Sequence, residues 1–319
     1  MAMSKKMMCM LAVAAAIFIT TARAYAADIF WSNPLGGTWN NPANWNPSRV
    51  PGASDNVFIT LSGSYTVTLD VDAFITGLTV GGAGSTPTLL LNSRSLTLNG
   101  ASAWNSGGIA GPGIIASSGS FNITRGAIQF LSFNAIINNA GTLTLSSTDF
   151  RAGTGAIINN MVGGIVALED GAFSSTISIG GVATLNNAGR VVKADSAGTA
   201  TWGVRFNNTG GSIEVQAGTL RFPGGGASTG GTFTVASGAT LDFSGGAMHV
   251  FSGSYTGATA GAVTLNLQID PSGVEFNFPA PGFNWFNGSI TGPGPGILTN
   301  SGSFNLMQLC EYYFPLHLA

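Results

Sequence analysis

A short cassette recurs along this chain and restricts it to one kind of architecture. Each copy consists of a glycine, one further residue and a short strand of alternating apolar and polar residues, and the copies follow one another every 20 to 25 residues. A period of this length is typical of a solenoid, because one turn of chain cannot bury its own apolar face and must stack on its neighbours. These copies begin at Gly119, Gly141, Gly164, Gly189, Gly211 and Gly231, and a separate copy of the same form begins at Gly302 near the end of the chain.

The residue types in the cassette predict how each coil is built. The chain has 47 glycines in 319 residues, and glycine adopts the positive φ needed where a strand bends into the next face. Asn-Asn pairs at Asn138, Asn159, Asn186 and Asn207 precede four copies, and aligned Asn side chains can hydrogen-bond in ladders along the axis. We therefore predict an all-β fold, a right-handed parallel β-helix of about 13 coils and about 60 Å in length.

Two longer stretches of the chain, residues 104–123 and 285–306, have nearly the same sequence. Both contain a Trp, a Gly-Pro-Gly turn and a Gly-Ser-Phe-Asn-aliphatic strand. We expect them to be equivalent parts of two coils, with Trp104 and Trp285 at equivalent structural positions. One residue fits the cassette poorly: Lys193 ends the fourth copy, where the alternation predicts an interior aliphatic side chain.

The first 26 residues differ from the rest of the chain. Lys5 and Lys6 precede an apolar run over residues 7–21, and residues 24–26 read Ala-Tyr-Ala. This order is typical of a cleavable secretory signal peptide. We therefore predict that the mature chain starts near Ala27 and that the protein is secreted or held at the cell surface.

Composition divides the remaining chain into three predicted segments. Residues 27–100 are predicted to form an N-terminal cap and the first strands, and residues 101–306 the β-helix coils. Residues 307–319 break the Gly-rich pattern with Cys, Tyr and His, so we interpret them as an atypical tail left by truncation or frameshift. An open final coil would be an unpaired β-edge, and we expect self-association through it.

Charge and cysteine content exclude some classes of function. The chain has 11 basic and 13 acidic residues, and its arginines are scattered with no basic run. A nucleic-acid surface, which requires clustered Lys and Arg to neutralise phosphates, is therefore not expected. Only Cys310 remains beyond the predicted signal peptide, so packing and backbone hydrogen bonds must hold the fold together without an intramolecular disulfide.

Three tryptophans lie close together near the start of the predicted mature chain, at Trp31, Trp39 and Trp45. Bulky residues with Pro and Asn turns suit a cap that covers the open end of a solenoid. Exposed Trp rings also stack on sugars, so a carbohydrate-binding role for the three side chains is the alternative. We favour the cap.

The same segment carries a resemblance to known proteins. The sequence GTWNNPANWNPSRVPGASDNVFI at residues 37–59, the VTLD strand at 67–70 and the GLTVGG turn at 77–82 resemble the start of exported bacterial β-helix proteins of the adhesin or autotransporter-passenger kind. They are similar, more loosely, to the G8 module. The resemblance implies a rod displayed outside the cell. The membrane barrel of the autotransporter type has no counterpart in residues 307–319.

Catalytic candidates are few, although polysaccharide-cleaving enzymes such as pectate lyases share this predicted scaffold. Asp70 and Asp72 lie two apart on a strand and would point to one face as a carboxylate pair. The Glu169–Asp170 pair precedes a glycine in a turn, where acidic residues commonly solvate a corner. His249 and His317 have no partner in the sequence. We therefore expect no catalytic residues, no cofactor and no metal site.

Together these features predict an exported structural or adhesive surface protein, interpreted as a fragment of a larger adhesin-like passenger. Its expected partners are host or matrix surface molecules. The alternative is an extracellular polysaccharide-binding or polysaccharide-cleaving β-helix protein, of which Trp31, Trp39 and Trp45 would be the binding residues.

Overall fold

The structure is a computed structural model in which residues with a describable placement begin at Ala27. Cys310, Asp170 and His317 lie outside them, as do residues 1–26. The described residues are 27–124, 129–146, 149–153, 155–169, 171–174, 183–194, 197–265, 267–279, 283–287, 289–291, 297–306 and 311–312.

Each coil of the chain passes in turn through three sheets, here named sheet 1, sheet 2 and sheet 3. The shorter strands of sheet 1 are Ala73–Ile75, Arg94–Leu98, Gly113–Ser117, Ala135–Asn139, Ile157–Asn160, Thr184–Asn187, Arg205–Thr209, Ser289–Thr291 and Glu311–Tyr312. Those of sheet 2 are Asp28–Trp31, Asn56–Ile59, Gly77–Val80, Ser102–Trp104, Ser120–Ile123, Thr142–Leu145, Ile165–Leu168, Arg190–Lys193, Ser212–Val215 and Leu298–Asn300.

Sheet 3 has 13 strands in the described part of the chain, one from each successive coil. At about 4.8 Å between neighbouring strands, they span roughly 60 Å. The strands are Gly37–Thr38, Thr66–Thr68, Thr88–Leu90, Gly107–Ala110, Gln129–Ser132, Asp149–Ala152, Gly171–Ser174, Thr199–Trp202, Thr219–Arg221, Thr240–Phe243, Ala262–Leu265, Phe283–Asn287 and Phe304–Leu306.

Every strand in these three sheets pairs in parallel with the strand one coil away. The prediction of an all-β parallel solenoid is therefore confirmed. The six cassettes that begin between Gly119 and Gly231 all place their strands in sheet 2. Alternation puts two side chains of each strand inside, and Phe121 and Ile123, for example, are fully buried. Lys193 occupies one of these interior positions and is fully buried as well.

The predicted Asn ladders form at the end of sheet 1, where the chain turns toward sheet 2. The second Asn of each pair points inward, and its Nδ2 donates to Oδ1 of the next Asn at 2.7 to 2.9 Å, from Asn139 through Asn160 and Asn187 to Asn208. The first Asn of each pair points outward and forms a second ladder of 2.8 to 2.9 Å bonds that donate in the opposite direction. Two antiparallel rows of amide dipoles thus run along this corner.

Glycine is required at this corner because successive coils approach closely. A Cβ atom at Gly141 would collide with the carbonyl oxygen of Gly119, and one at Gly189 with that of Gly164. In later coils the break disappears, and the strands Gly226–Val235, His249–Thr259 and Leu267–Asn277 run from sheet 1 into sheet 2. Gly230 and Gly253, with φ of 71° and 73°, absorb the bend in the first two of them.

The two similar long stretches are not equivalent, which corrects the sequence expectation. Trp104 lies in sheet 2, where it pairs with Val80, whereas the backbone of Trp285 lies in sheet 3 and pairs with Val263. The Gly-Ser-Phe-Asn strands that follow are in sheet 2 and sheet 3, respectively. The second stretch is shifted by one face, because unequal corner lengths accumulate between the two copies.

The interior changes character along the axis. After the first coils, which contain three buried tryptophans, it consists mainly of Leu, Ile and Val, whereas the later coils contain a network of aromatic rings. Phe206 stacks on Phe222 with ring centroids 4.2 Å apart, and Phe276 stacks on Phe283 at 4.9 Å. Large rings fill the interior where the long strands replace the Asn corner.

Candidate functional site

The three tryptophans near the N-terminus lie inside the first coils. Trp31, Trp39 and Trp45 are 2%, 0% and 1% exposed, and Trp45 makes edge-on contacts of 4.9 Å with each of the other two. The strand Trp45–Asn46 folds back and pairs antiparallel with Asp28–Trp31, covering the outer edge of sheet 2. A ring that stacks on a sugar needs an exposed face, and none of the three has one. This buried aromatic cluster favours the predicted cap over the carbohydrate-binding alternative.

The two candidate carboxylates lie in the turn between the strands Thr66–Thr68 and Ala73–Ile75, which corrects the expectation of a pair on one strand, and each binds a backbone amide. Asp70 Oδ1 accepts from the amide of Asn40 at 2.8 Å, and Asp72 Oδ1 accepts from the amide of Ser95 at 2.9 Å. The two residues therefore tie their turn to different coils, one on each side. This is a structural role, and across the described residues no group of three or more His, Cys, Asp or Glu side chains could hold a metal ion.

We expect the substitution Asp72→Ala to lower the free energy of unfolding by about 1 kcal/mol, because the amide of Ser95 loses its acceptor. Urea denaturation followed by circular dichroism measures the change. The control is Thr97→Ala, on the outer side of the strand Arg94–Leu98 that also contains Ser95. This substitution should change stability by less than about 0.5 kcal/mol. Equal effects of the two substitutions would contradict the role assigned to Asp72.

His249 has a partner that the sequence did not indicate. Its Nε2 lies 2.8 Å from the hydroxyl of Ser228, which is 21 residues earlier and one coil away. Both side chains are buried, and the rings of Phe243 and Phe251 lie 5.0 and 5.1 Å from the imidazole. Burial lowers the pKa of His249 to about 3 and raises the pKa of nearby Tyr255. A serine next to a neutral histidine is the chemistry of a nucleophile with its base, but this pair is enclosed in the core, out of reach of a substrate.

The outer side of sheet 2 is a long surface with little charge. Residues at the same position in successive coils form two columns on it, and Asp28, Arg190 and Glu214 are their only charged members. One column is Phe30, Phe58, Thr79, Ala103, Asn122, Thr144, Ala167, Val192, Glu214, Thr234 and Ala258. The other includes Asp28, Asn56, Gly77, Ser120, Thr142, Ile165, Arg190, Ser212, Thr232, Thr256 and Asn277.

The only two aromatic residues in these columns stack on each other at the N-terminal end of sheet 2. The ring centroids of Phe30 and Phe58 are 4.8 Å apart, and Phe30 is 42% exposed. Two residues earlier on the same strands, Asn56 Nδ2 donates to Asp28 Oδ1 at 3.1 Å. An exposed apolar pair beside a carboxylate and an amide distinguishes this patch, named here the Phe30 patch, from the rest of the sheet. Residue spacing alone could not reveal it, because the alternation predicts a polar side chain at each outer position.

A shallow groove of about 370 Å³ follows the corner between sheets 1 and 2. Small residues from three successive coils line it, and Arg190 forms part of its wall, paired with Glu214 at 2.7 Å. The inner Asn ladder lies beneath it, with Asn160 Nδ2 donating to the carbonyl of Arg190 at 3.0 Å. The groove follows from the close approach of glycines at this corner.

No protein family model, curated protein or solved structure matches the chain. Within the described residues, none of the helical structure is long and apolar enough to cross a membrane. Function is therefore argued from the geometry of the solenoid and its outer surface.

Proposed function

We propose that this chain is an exported structural protein whose solenoid presents the outer side of sheet 2 to a host or matrix surface. The observation that supports it best is the pair of outer columns, which carry mainly hydroxyl, amide and small side chains with three charges among them. Such a face offers a regular array of hydrogen-bonding groups at one coil spacing, about 4.8 Å. The signal-peptide pattern of residues 1–26 supports export.

The face itself can be tested with paired substitutions. We expect the mature chain to bind immobilised extracellular-matrix proteins saturably, and Thr144→Glu with Thr234→Glu to weaken that binding at least tenfold, because each carboxylate interrupts the array and needs its own solvation. Surface plasmon resonance measures the change. The matched control, Thr219→Glu with Thr240→Glu, places the same charges on the outer side of sheet 3 and should bind as the unchanged protein does. Equal loss in both variants would overturn the assignment of sheet 2.

The Phe30 patch supports a second candidate function, the binding of a neutral glycan. An exposed aromatic side chain packs on the C–H face of a sugar ring, and the adjacent Asp28 and Asn56 offer an acceptor and a donor to its hydroxyls. The net negative charge of the chain favours an uncharged ligand over an acidic one. Within this proposal the sugar contacts Phe30 and Phe58, and the buried tryptophans hold the first coil in place.

A glycan array on the mature chain tests this second function. Binding of a neutral oligosaccharide should be lost in a Phe30→Thr, Phe58→Thr double variant. The control is Phe74→Thr, which removes a 58% exposed phenyl ring from sheet 1 and should leave binding intact. Binding that survives the double variant, or that Phe74→Thr abolishes equally, would rule out the patch as the site.

A further inference from the structure

Asp55 is a buried carboxylate at the corner that precedes the strand Asn56–Ile59. Its side chain is 2% exposed, and each of its oxygens accepts two hydrogen bonds. Arg49 donates to both oxygens at 2.6 and 2.7 Å, and the amide of Gly52 donates to Oδ2 at 2.7 Å. The fourth donor is the backbone nitrogen of Ala27, which lies 3.3 Å from Oδ1.

Ala27 is held in this position by the first strand pairing of the solenoid. The amide of Asn56 donates to its carbonyl oxygen at 2.9 Å, and the next residues pair in parallel with Asn56, Val57 and Phe58. Ala27 also packs partly buried against the core. Its nitrogen is therefore placed at Asp55 by the fold. It is also the residue at which the signal-peptide pattern predicts that the mature chain begins.

We propose that Asp55 is a binding site for a primary ammonium group, the α-amino group that cleavage after Ala26 leaves on Ala27. This proposal rests on the export proposed above. A signal peptidase hydrolyses the Ala26–Ala27 peptide bond with one water molecule. Ala26 departs with a carboxylate, and the freed amine of Ala27 takes up a proton at neutral pH. The nitrogen of Ala27, a neutral amide donor to Asp55 before cleavage, thereby becomes a charged ammonium donor at the same position.

The donors around the site keep the carboxylate that accepts from Ala27 ionised. Arg49 and Asp55 form a bidentate pair, and the hydrogen bonds to that carboxylate, from Arg49 above all, hold its pKa below the usual range. Asp55 is thus ionised when the ammonium forms. Asp28, the next residue in the chain, adds a second carboxylate within a residue of the new charge. Charge-assisted hydrogen bonds are shorter and stronger than neutral ones, so processing fastens the first strand to the second coil.

The experiment compares three forms of the chain Ala27–Ala319: one with a free amine on Ala27, one acetylated there, and one preceded by a single glycine. Acetylation removes the charge and keeps one N–H donor on Ala27, as in the uncleaved chain, and the added glycine moves the ammonium about 3.8 Å along the chain. In the free-amine form we expect the pKa of the α-amino group to lie about one unit above its ordinary 7.7 to 8.0. Hydrogen exchange at the amides of Ile29 and Trp31 should be about fivefold slower than in the other two forms.

An ordinary α-amino pKa in the free-amine form, or exchange equal in all three forms, would overturn the proposal. Asp55→Asn should return the α-amino pKa to the ordinary range. If Asp55→Asn folds poorly, the glycine-extended form makes the same test with Asp55 and Arg49 intact. Mass spectrometry of the protein released by exporting cells tests the proposed function separately. A start elsewhere than Ala27, or no export, would contradict the export proposal but not alter the titration of the defined chain.

Discussion

The substitution Asn187→Ala is expected to lower the free energy of unfolding by about 3 kcal/mol. Asn187 is the central member of the inner Asn ladder: its Oδ1 accepts from Asn160 at 2.7 Å and its Nδ2 donates to Asn208 at 2.7 Å. Removing it leaves one buried N–H of Asn160 and the buried Oδ1 of Asn208 without those hydrogen bonds, and each lost bond of this kind costs about 1 to 3 kcal/mol. Urea denaturation measures the effect.

The neighbouring residue gives a matched control. Asn186 makes the same two kinds of bond in the outer ladder, at 2.9 Å on each side, but is only partly buried. Water can replace the lost partners there, so Asn186→Ala should cost about 1 kcal/mol or less. If Asn187→Ala lowers the free energy of unfolding no more than Asn186→Ala does, the prediction is wrong. The hydrogen bonds of the inner ladder would then not stabilise the stacking of coils, and packing alone would do so.

Acidification from pH 6.5 to 4.5 is expected to lower the stability of the protein by about 2 to 3 kcal/mol through His249 alone. The pKa of this side chain falls from 6.5 to about 3 on folding, because burial disfavours its charged form. At pH values between about 3 and 6.5, the unfolded chain binds a proton at His249 that the folded chain does not. The contribution of His249 to stability is therefore fully present above pH 6.5 and declines as the pH falls. The contacts of the ring are to Ser228 and to the phenyl rings of Phe206, Phe243 and Phe251, none of which carries charge.

His249→Gln separates this effect from the titration of carboxylates. Glutamine keeps a hydrogen-bonding group opposite Ser228 and stays neutral. The free energy of unfolding of the variant should therefore change little between pH 6.5 and 4.5. Denaturation curves at several pH values give the comparison, and an NMR titration of the imidazole gives its pKa directly. An imidazole pKa near 6.5 in the folded protein would contradict the prediction, as would a slope that persists in the glutamine variant.

The regular features of the fold could be predicted because they depend on local sequence. Alternation in each cassette indicates which side chains face inward, and Phe121, Leu143 and Val166 are buried as expected. The recurring Asn pairs indicate ladders, because residues one period apart in a solenoid become neighbours. Lys193, the one poor fit to the alternation, nevertheless occupies the interior position at the end of its cassette.

Features that depend on accumulated corner lengths could not be predicted. Trp104 and Trp285 have similar surroundings in the sequence but lie in different sheets, because a few extra residues at intervening corners shift one copy by a face. Ser228 and His249 meet for a similar reason: the turns between their long strands set a register that pairs Gly226 with His249 and Ser228 with Phe251. The Phe30 patch has no periodic signal, since outer positions carry no packing constraint.

The sequence by itself determined the architecture: a stack of parallel coils, their interior columns and the amide ladders at one corner. These follow from the period of the cassette and from the two-residue alternation of a strand, which are properties of neighbouring residues. Only the tertiary structure decided which sheet each strand joins, that the tryptophans turn inward, and that Ala27 meets Asp55 across 28 residues. Contacts of this kind depend on how the whole chain closes, and closure is set by the sum of all its turns.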